Sequence, residues 1–299
     1  MTPLRLGTRG SALALAQSQW VAGELRRLHP RLEVELVTIT TRGDRILDRA
    51  LSQVGGKGLF VTEIENALLA SEIDLAVHSL KDVPTEQPPG LTLVAFPQRV
   101  DPRDVLVSRE KKRLGDLRPG AVIATSSLRR TAQLRHARPD LQFVPIRGNV
   151  DTRVRKMQLG QADAVVLAAA GLIRLGRTKW IAEHLDPEVC LPAAGQGILC
   201  LEARAGDGAT LDLLAPFDCQ ASRLCAGAER YVVGALGGSC QVPIGVLAEM
   251  RGEGLTVRAV VADVQGERVL RASGESPEAV VARLREMGAD ELLAEMTGL

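Results

Sequence analysis

The chain predicts an α/β protein of two similar units with a small α+β domain at its C-terminal end, and three observations carry that expectation. Through the first 200 residues, short apolar runs alternate with amphipathic helical segments, the pattern of parallel or mixed sheets covered by helices. After Pro216 the character changes to one helix, three strand-like runs and a terminal helix. At 299 residues there is chain for two or three domains of roughly 100 to 150 residues each.

Leu4 to Gly7 reads as the first strand. Ser11 caps a helix over Ala12 to Leu28, which His29-Pro30 ends. Leu32-Glu33-Val34-Glu35-Leu36 alternates with period two, Phe60 to Ala70 is helical, and Leu75-Ala76-Val77 is a short buried strand leading into His78-Ser79-Leu80-Lys81-Asp82. Val83-Pro84 forces an extended or turn conformation, and Leu91 to Phe96 is a further strand. The polar stretch Arg99 to Asp104 suits a hinge. The second unit follows as strand Ala121 to Ala124, a helix from Ser127, strand Gln142 to Ile146, helix Val150 to Leu159 and strand Ala164 to Ala168, ending near Leu191 to Gly197. Ile198 to Leu201 is expected to return to the first sheet, which makes a double hinge of the two crossings. The expected division is residues 1–98 plus 198–216, residues 103–192, and residues 218–299. In the last of these, a helix over Gln220 to Val233 precedes strands Val242 to Ala248, Leu255 to Ala262 and Arg268 to Arg271, and a helix starts at Pro277.

Composition narrows the function. Lys and Arg total 37 against 36 for Asp and Glu, so no global basic field gathers nucleic acid and any anion site must be local. One Tyr, two Trp and four Phe leave little to stack on bases. No apolar leader and no run of 18 apolar residues is present, so a cytoplasmic protein without membrane or nucleic-acid partners is expected. Five cysteines without a Cys-x-x-Cys pair, and histidines scattered at 29, 78, 136 and 184, suggest neither a disulfide framework nor a metal site. Cys190 and Cys200, among leucines, and Cys219 and Cys225, on a helical segment, read as small core residues. Cys240 differs. In Leu236-Gly237-Gly238-Ser239-Cys240-Gln241-Val242-Pro243-Ile244, glycines lead up to the thiol and allow something bulky to approach it.

Thr125-Ser126-Ser127-Leu128-Arg129-Arg130 places hydroxyls, free N–H groups and two arginines where a strand enters a helix, an anion-binding arrangement. The plainer reading is a helix cap beside solvated arginines. Arg147-Gly148-Asn149, Asp151-Thr152-Arg153 and Gly171-Leu172-Ile173-Arg174 follow at successive strand ends, which share one edge of an open α/β sheet, so the arginines are expected to face one crevice. Guanidinium groups pair bidentately with carboxylates or phosphates, and so many imply a polyanionic ligand. Thr8-Arg9-Gly10-Ser11 repeats the strand-to-helix geometry, and Thr41-Arg42-Gly43-Asp44 and Gly55-Gly56-Lys57-Gly58-Leu59-Phe60 add glycine-rich loops. The latter lacks the spacing of a Walker loop. The segment from Arg42 to Lys57 is expected to be mobile. Asp82, presented with Lys81, Ser79 and His78 at a buried strand's end, is the candidate for catalysis; a carboxylate there can stabilise a developing cation and exchange protons. The alternatives are a Lys81–Asp82 ion pair closing a turn and a satisfied core His78.

In order and separation, Thr8-Arg9-Gly10-Ser11, Gly55 to Phe60, His78 to Pro84, Thr125 to Arg130 and Gly238-Ser239-Cys240-Gln241-Val242-Pro243 resemble the porphobilinogen deaminase (hydroxymethylbilane synthase) family over essentially the whole chain. That resemblance implies two domains like the halves of type II periplasmic binding proteins and a third carrying the cysteine. It implies a dipyrromethane cofactor bound by a thioether to Cys240, porphobilinogen as substrate, a transferase reaction on the path to haem, a monomer, and Asp82 as the catalytic acid. Four condensations with loss of ammonia, then hydrolysis, release a linear tetrapyrrole. By the same resemblance Lys81, Ser79, Thr125, Ser127, Arg129, Arg130, Gly148 and Asp44 hold the cofactor. Arg9, Ser11, Lys57, Arg147, Arg153, Arg174 and Gln196 hold substrate carboxylates, with Phe60 near the reacting rings. Two departures stand out: Gln53 where bacterial members place a lysine, and Leu-Gly-Gly-Ser-Cys in place of Leu-Glu-Gly-Gly-Cys. Two other classes fit parts of the pattern: a binding protein for a small polyanion, which leaves Asp82 and Cys240 without a task, and a thiol enzyme, which wants a histidine that no neighbour of Cys240 supplies.

Overall fold

The computed structural model describes residues 3–45, 58–238 and 242–297. Lys57 and Cys240 therefore lie outside the described residues, as does most of the segment expected to be mobile; its opening residues, Arg42–Arg45, form a short helix rather than a loop. The chain divides into two compact units, Met1–Val100 with Ile198–Arg223 and Asp101–Gly197 with Leu224–Leu299.

The first unit is built on a five-stranded sheet in the order β2-β1-β3-β10-β4, formed by β1 (Leu4–Thr8), β2 (Val34–Thr38), β3 (Leu75–Ser79), β4 (Leu91–Ala95) and β10 (Leu199–Arg204). β1 runs parallel to β2 and β3, and β10 lies antiparallel between β3 and β4. The apolar run at Ile198 thus does return to the first sheet, one residue later than its sequence suggests. Because side chains alternate across a strand, each face collects its own core. Leu4, Leu6, Leu75 and Leu201 meet Val21 and Leu25 of the helix Ala12–Leu28 on one face, while Ala76 and Leu91 meet Ile64 and Leu68 of the helix Thr62–Leu69 on the other.

The second unit repeats that plan in the order β7-β6-β8-β5-β9, with β5 (Asp104–Ser108), β6 (Val122–Ala124), β7 (Gln142–Val144), β8 (Ala164–Ala168) and β9 (Glu183–His184). β6 is parallel to β7 and β8, and β5 is antiparallel to β8 and β9. Each sheet therefore has three parallel strands and then an antiparallel strand that enters after the chain has visited the other unit. The two units thus share one α/β plan. The expected hinge over Arg99 to Asp104 is corrected at its end: Asp104 is the first residue of a fully buried strand.

The same unit carries an antiparallel sheet of β11 (Ile244–Arg251), β12 (Gly254–Ala262) and β13 (Val269–Gly274). Val246, Val257 and Val261 pack against Val232 and Leu236 from the helix Gln220–Ala235 and its end, and against Val280, Leu284 and Leu292 from the helices Pro277–Glu286 and Ala289–Thr297. One cysteine departs from its expected place: Cys219 precedes the helix, is half-buried, and has its thiol drawn down by hydrogen bonds from Ser222. Cys190, Cys200 and Cys225 are buried as expected.

Candidate active site

At the end of β1, Thr8 is buried and Ser11 Oγ accepts from Ala14 N–H at 3.3 Å, which caps the following helix. Arg9, between them, pairs with Asp44 at 2.5 Å and lays its guanidinium 4.2 Å above the Phe60 ring. Phe60 reaches this position across Gly43, where a Cβ would fall 2.1 Å from its ring, so only glycine fits. Burial raises Asp44, but its bonds from Arg9 and the Thr41 hydroxyl outweigh that and hold the carboxyl below the ordinary range.

β3 delivers the second set. Ser79 Oγ accepts from Gln17 Nε2 at 2.9 Å, and Leu80–Asp82 form a single 3₁₀ turn closed by Val83 N–H on Leu80 O at 3.0 Å. The turn leaves Lys81 half-buried and Asp82 exposed. Arg9, Ser11, Gln17, Phe60, His78, Ser79 and Asp82 line one pocket of the first unit. His78 is in addition a satisfied buried histidine, its Nε2 3.0 Å from Glu202 Oε2.

In the second unit the helix Leu128–Ala137 starts at Ser127, whose Oγ accepts from Arg130 N–H at 3.4 Å, while the buried Thr125 accepts from Ser127 N–H at 3.2 Å. Arg129 and Arg130 are not solvated surface. Both are buried on Asp104, at 2.6 and 2.7 Å, and Gln196 Nε2 adds a bond to Asp104 Oδ1 at 2.9 Å. Burial raises Asp104, yet the two guanidinium groups hold its carboxyl far below the usual range. Beside it, burial and the Asp104 charge push the Cys190 thiol up to about 12. Sequence reasoning missed Asp104 because it closed a polar, proline-bearing stretch; its position two residues after Pro102 and before Val105-Leu106-Val107 was the available signal.

Arg153 Nε donates to Gly148 O at 2.8 Å beside the helix Val150–Gln158, which Asn149 caps, and Arg147 is half-buried next to them. Arg174 ends the helix that follows β8 and donates to Gly197 O at 2.8 Å. Burial pushes its guanidinium down to about 10, and among the described residues no carboxylate pairs with it. An anion would relieve that cost. Arg129 differs: burial lowers its guanidinium, but the charge and hydrogen bonds of Asp104 outweigh that and raise it above its ordinary value. These residues suit a ligand rich in carboxylates. No group of His, Cys, Asp and Glu among the described residues is arranged to hold a metal.

Residues 4–212 match the family model "Porphobilinogen deaminase, dipyromethane cofactor binding domain" and residues 223–290 match "Porphobilinogen deaminase, C-terminal domain". The porphobilinogen deaminase of Roseiflexus sp. (strain RS-1) is 51% identical over 293 residues, covering 97% of this chain and 95% of the relative. That of Thiobacillus denitrificans is 50% identical over 299 residues, covering 99% and 96%. Among solved structures, the periplasmic VFT2 domain of Bordetella pertussis BvgS matches 71% of this chain and 85% of its own, with 18% identity and a TM-score of 0.41. With both family models met in chain order and half of all positions shared with relatives matched nearly end to end, the chain belongs to the porphobilinogen deaminase family.

Proposed function

We propose that Asp82 is the catalytic carboxylate of this deaminase and Cys240 the point at which its dipyrromethane is held by a thioether. The family reaction joins four porphobilinogen molecules head to tail, releases ammonia at each addition, and ends with hydrolysis to hydroxymethylbilane. The observation that carries the reading is the first unit's pocket, in which the exposed Asp82 stands beside Arg9, Ser11, Ser79 and Phe60.

Asp82 donates a proton toward the aminomethyl nitrogen as the carbon–nitrogen bond breaks and its electron pair leaves with ammonia. The carboxylate that results faces the cationic azafulvene and stabilises it. Arg9, stacked on Phe60, takes a substrate carboxylate by exchanging it for Asp44. When bound, the dipyrromethane would supply the free α-carbon for the first ring, and each later ring would join the α-carbon of the ring before it, the displaced α-proton returning to the Asp82 carboxylate. Its acetate and propionate groups fall to Thr125, Ser127, Arg129, Arg130, Gly148, Lys81 and Ser79, and those of the incoming rings to Ser11, Lys57, Arg147, Arg153, Arg174 and Gln196. Arg174, which pairs with no carboxylate among the described residues, supports that assignment. The protein works as a cytoplasmic, monomeric transferase with no nucleic-acid or membrane partner, in three domains, the third holding Cys240. Among the described residues no helix is long and apolar enough to cross a membrane.

Intact-mass spectrometry tests this reading. The active protein weighs more than its chain by one dipyrromethane, and Cys240→Ser removes the increment. Asp82→Ala keeps the increment when the cofactor is supplied but turns over about 10²- to 10⁴-fold more slowly. A fully active protein of unmodified mass would refute the Cys240 assignment, and normal turnover in Asp82→Ala would refute that of Asp82.

A further inference from the structure

Behind the turn that displays Asp82 lies an ionisable pair that the reaction described above does not use. β3 and β10 are antiparallel, with Cys200 opposite His78 and Glu202 opposite Ala76. His78 and Glu202 therefore share one face of the sheet as diagonal neighbours. Their side chains are 4% and 0% exposed, and Nε2 of one lies 3.0 Å from Oε2 of the other. The second carboxylate oxygen of Glu202, Oε1, is buried without a hydrogen-bond partner among the described residues. Such an atom calls for a reason. Register between β10 and β4 shifts between Leu201 and Glu202, an irregularity of the kind that re-aims a side chain next to an active site. Glu65, buried on the helix Thr62–Leu69, completes the cluster; burial and the charge of Glu202 raise its carboxyl above the ordinary value.

Stability alone gives no reason for this arrangement. Apolar side chains in place of a buried ionisable pair are often neutral or stabilising, whereas a pair fixes geometry. What it fixes here is the end of β3. His78 directly precedes Ser79 and lines the same pocket as Ser79 and Asp82. Leu80 N–H donates to Ile198 O at 3.0 Å, so β10 also holds the turn through its approach to the sheet.

We propose that Glu202 is a positioning residue for deamination: by holding His78 it fixes the end of β3, and with it the placement of the Asp82 carboxylate in the pocket. The inference rests on Asp82 being the catalytic carboxylate. Displacement of a reacting group by about 1 Å costs up to roughly 10²-fold in rate. Glu202→Ala in the cofactor-loaded enzyme therefore lowers kcat by about tenfold or more while KM for porphobilinogen stays within about twofold. Glu202→Gln keeps an oxygen that accepts from the imidazole N–H and recovers most of the rate. In single-turnover measurements Glu202→Ala costs nothing further in an Asp82→Ala background, because it acts through the missing carboxylate. A wild-type kcat in Glu202→Ala, or the same fold loss in both backgrounds, overturns the proposal. Should Glu202→Ala not fold, His78→Phe removes the bond from its other side and enters the same cycle with the same expected outcomes. Normal turnover in Asp82→Ala is a separate result, which overturns the catalytic assignment and not merely the positioning one.

Discussion

Two guanidinium groups meet one carboxylate at Asp104, which is fully buried between them, and both arginines are buried as well. Breaking such a cluster from one side leaves buried cations exposed to each other, at a cost of about 3 to 5 kcal/mol. Asp104→Asn is therefore expected to lower stability by that order in urea denaturation at neutral pH. The direction with pH follows from the depressed carboxyl. Its contribution is complete above the ordinary aspartate value of about 3.9 and is lost as pH falls from there toward the folded value. The gap between wild type and Asp104→Asn should thus close in acid; a gap that persists unchanged at pH 3 would count against the cluster as its source. Arg129 and Arg130 stood out by residue type and strand-end position, but they were expected to face a crevice and instead are buried on Asp104. Their buried counter-charge did not stand out, since a lone aspartate after a proline looks the same whether it faces solvent or a core. Glu202 was hidden for a related reason: one polar residue in an apolar run is compatible with either face of a strand.

Elements whose sequence alternated or followed helical period fell where expected to within a few residues, as with Ala12–Leu28, Val150–Gln158 and Ala164–Ala168. β5 escaped notice because its opening residue is an aspartate and the sequence before it is polar. β11 began two residues later and ended three later than its apolar run, because pairing with β12, not hydrophobicity, sets its length: Glu249, Met250 and Arg251 continue the ladder. This strand also shows how tightly its sheet is docked. Val246 N–H donates to Pro192 O at 2.9 Å, and a Cβ on Gly245 would lie 2.8 Å from Leu191 O and 2.9 Å from Val260 Cγ1. Backbone cannot yield as a flexible side chain does. Gly245→Ala should cost about 1 to 3 kcal/mol by forcing strand and loop apart, measured as a lowered denaturation midpoint. An unchanged midpoint would mean that the Leu191–Pro192 segment moves freely.

The whole chain is nearly neutral, 37 basic against 36 acidic residues, yet the buried charge of its second unit is not balanced in the same way. Arg129 and Arg130 share one carboxylate, and Arg174 pairs with none among the described residues. A protein can keep such cations only if the remaining fold carries their desolvation cost or if a bound anion offsets it. The family's cofactor is anionic, so loading should stabilise the folded state by mass action as well as equip it for catalysis. Each charge-assisted hydrogen bond gained contributes about 1.5 to 3 kcal/mol. For a chain of this size 1 kcal/mol moves the midpoint by about 2 to 4 °C. Cys240→Ser purified without cofactor is therefore expected to melt at least about 3 °C below the loaded protein in calorimetry. Millimolar inorganic phosphate should recover part of the difference, because it places negative charge beside the half-exposed Arg174. Equal midpoints for loaded and unloaded protein would show that the fold, not the ligand, carries the cost of those arginines.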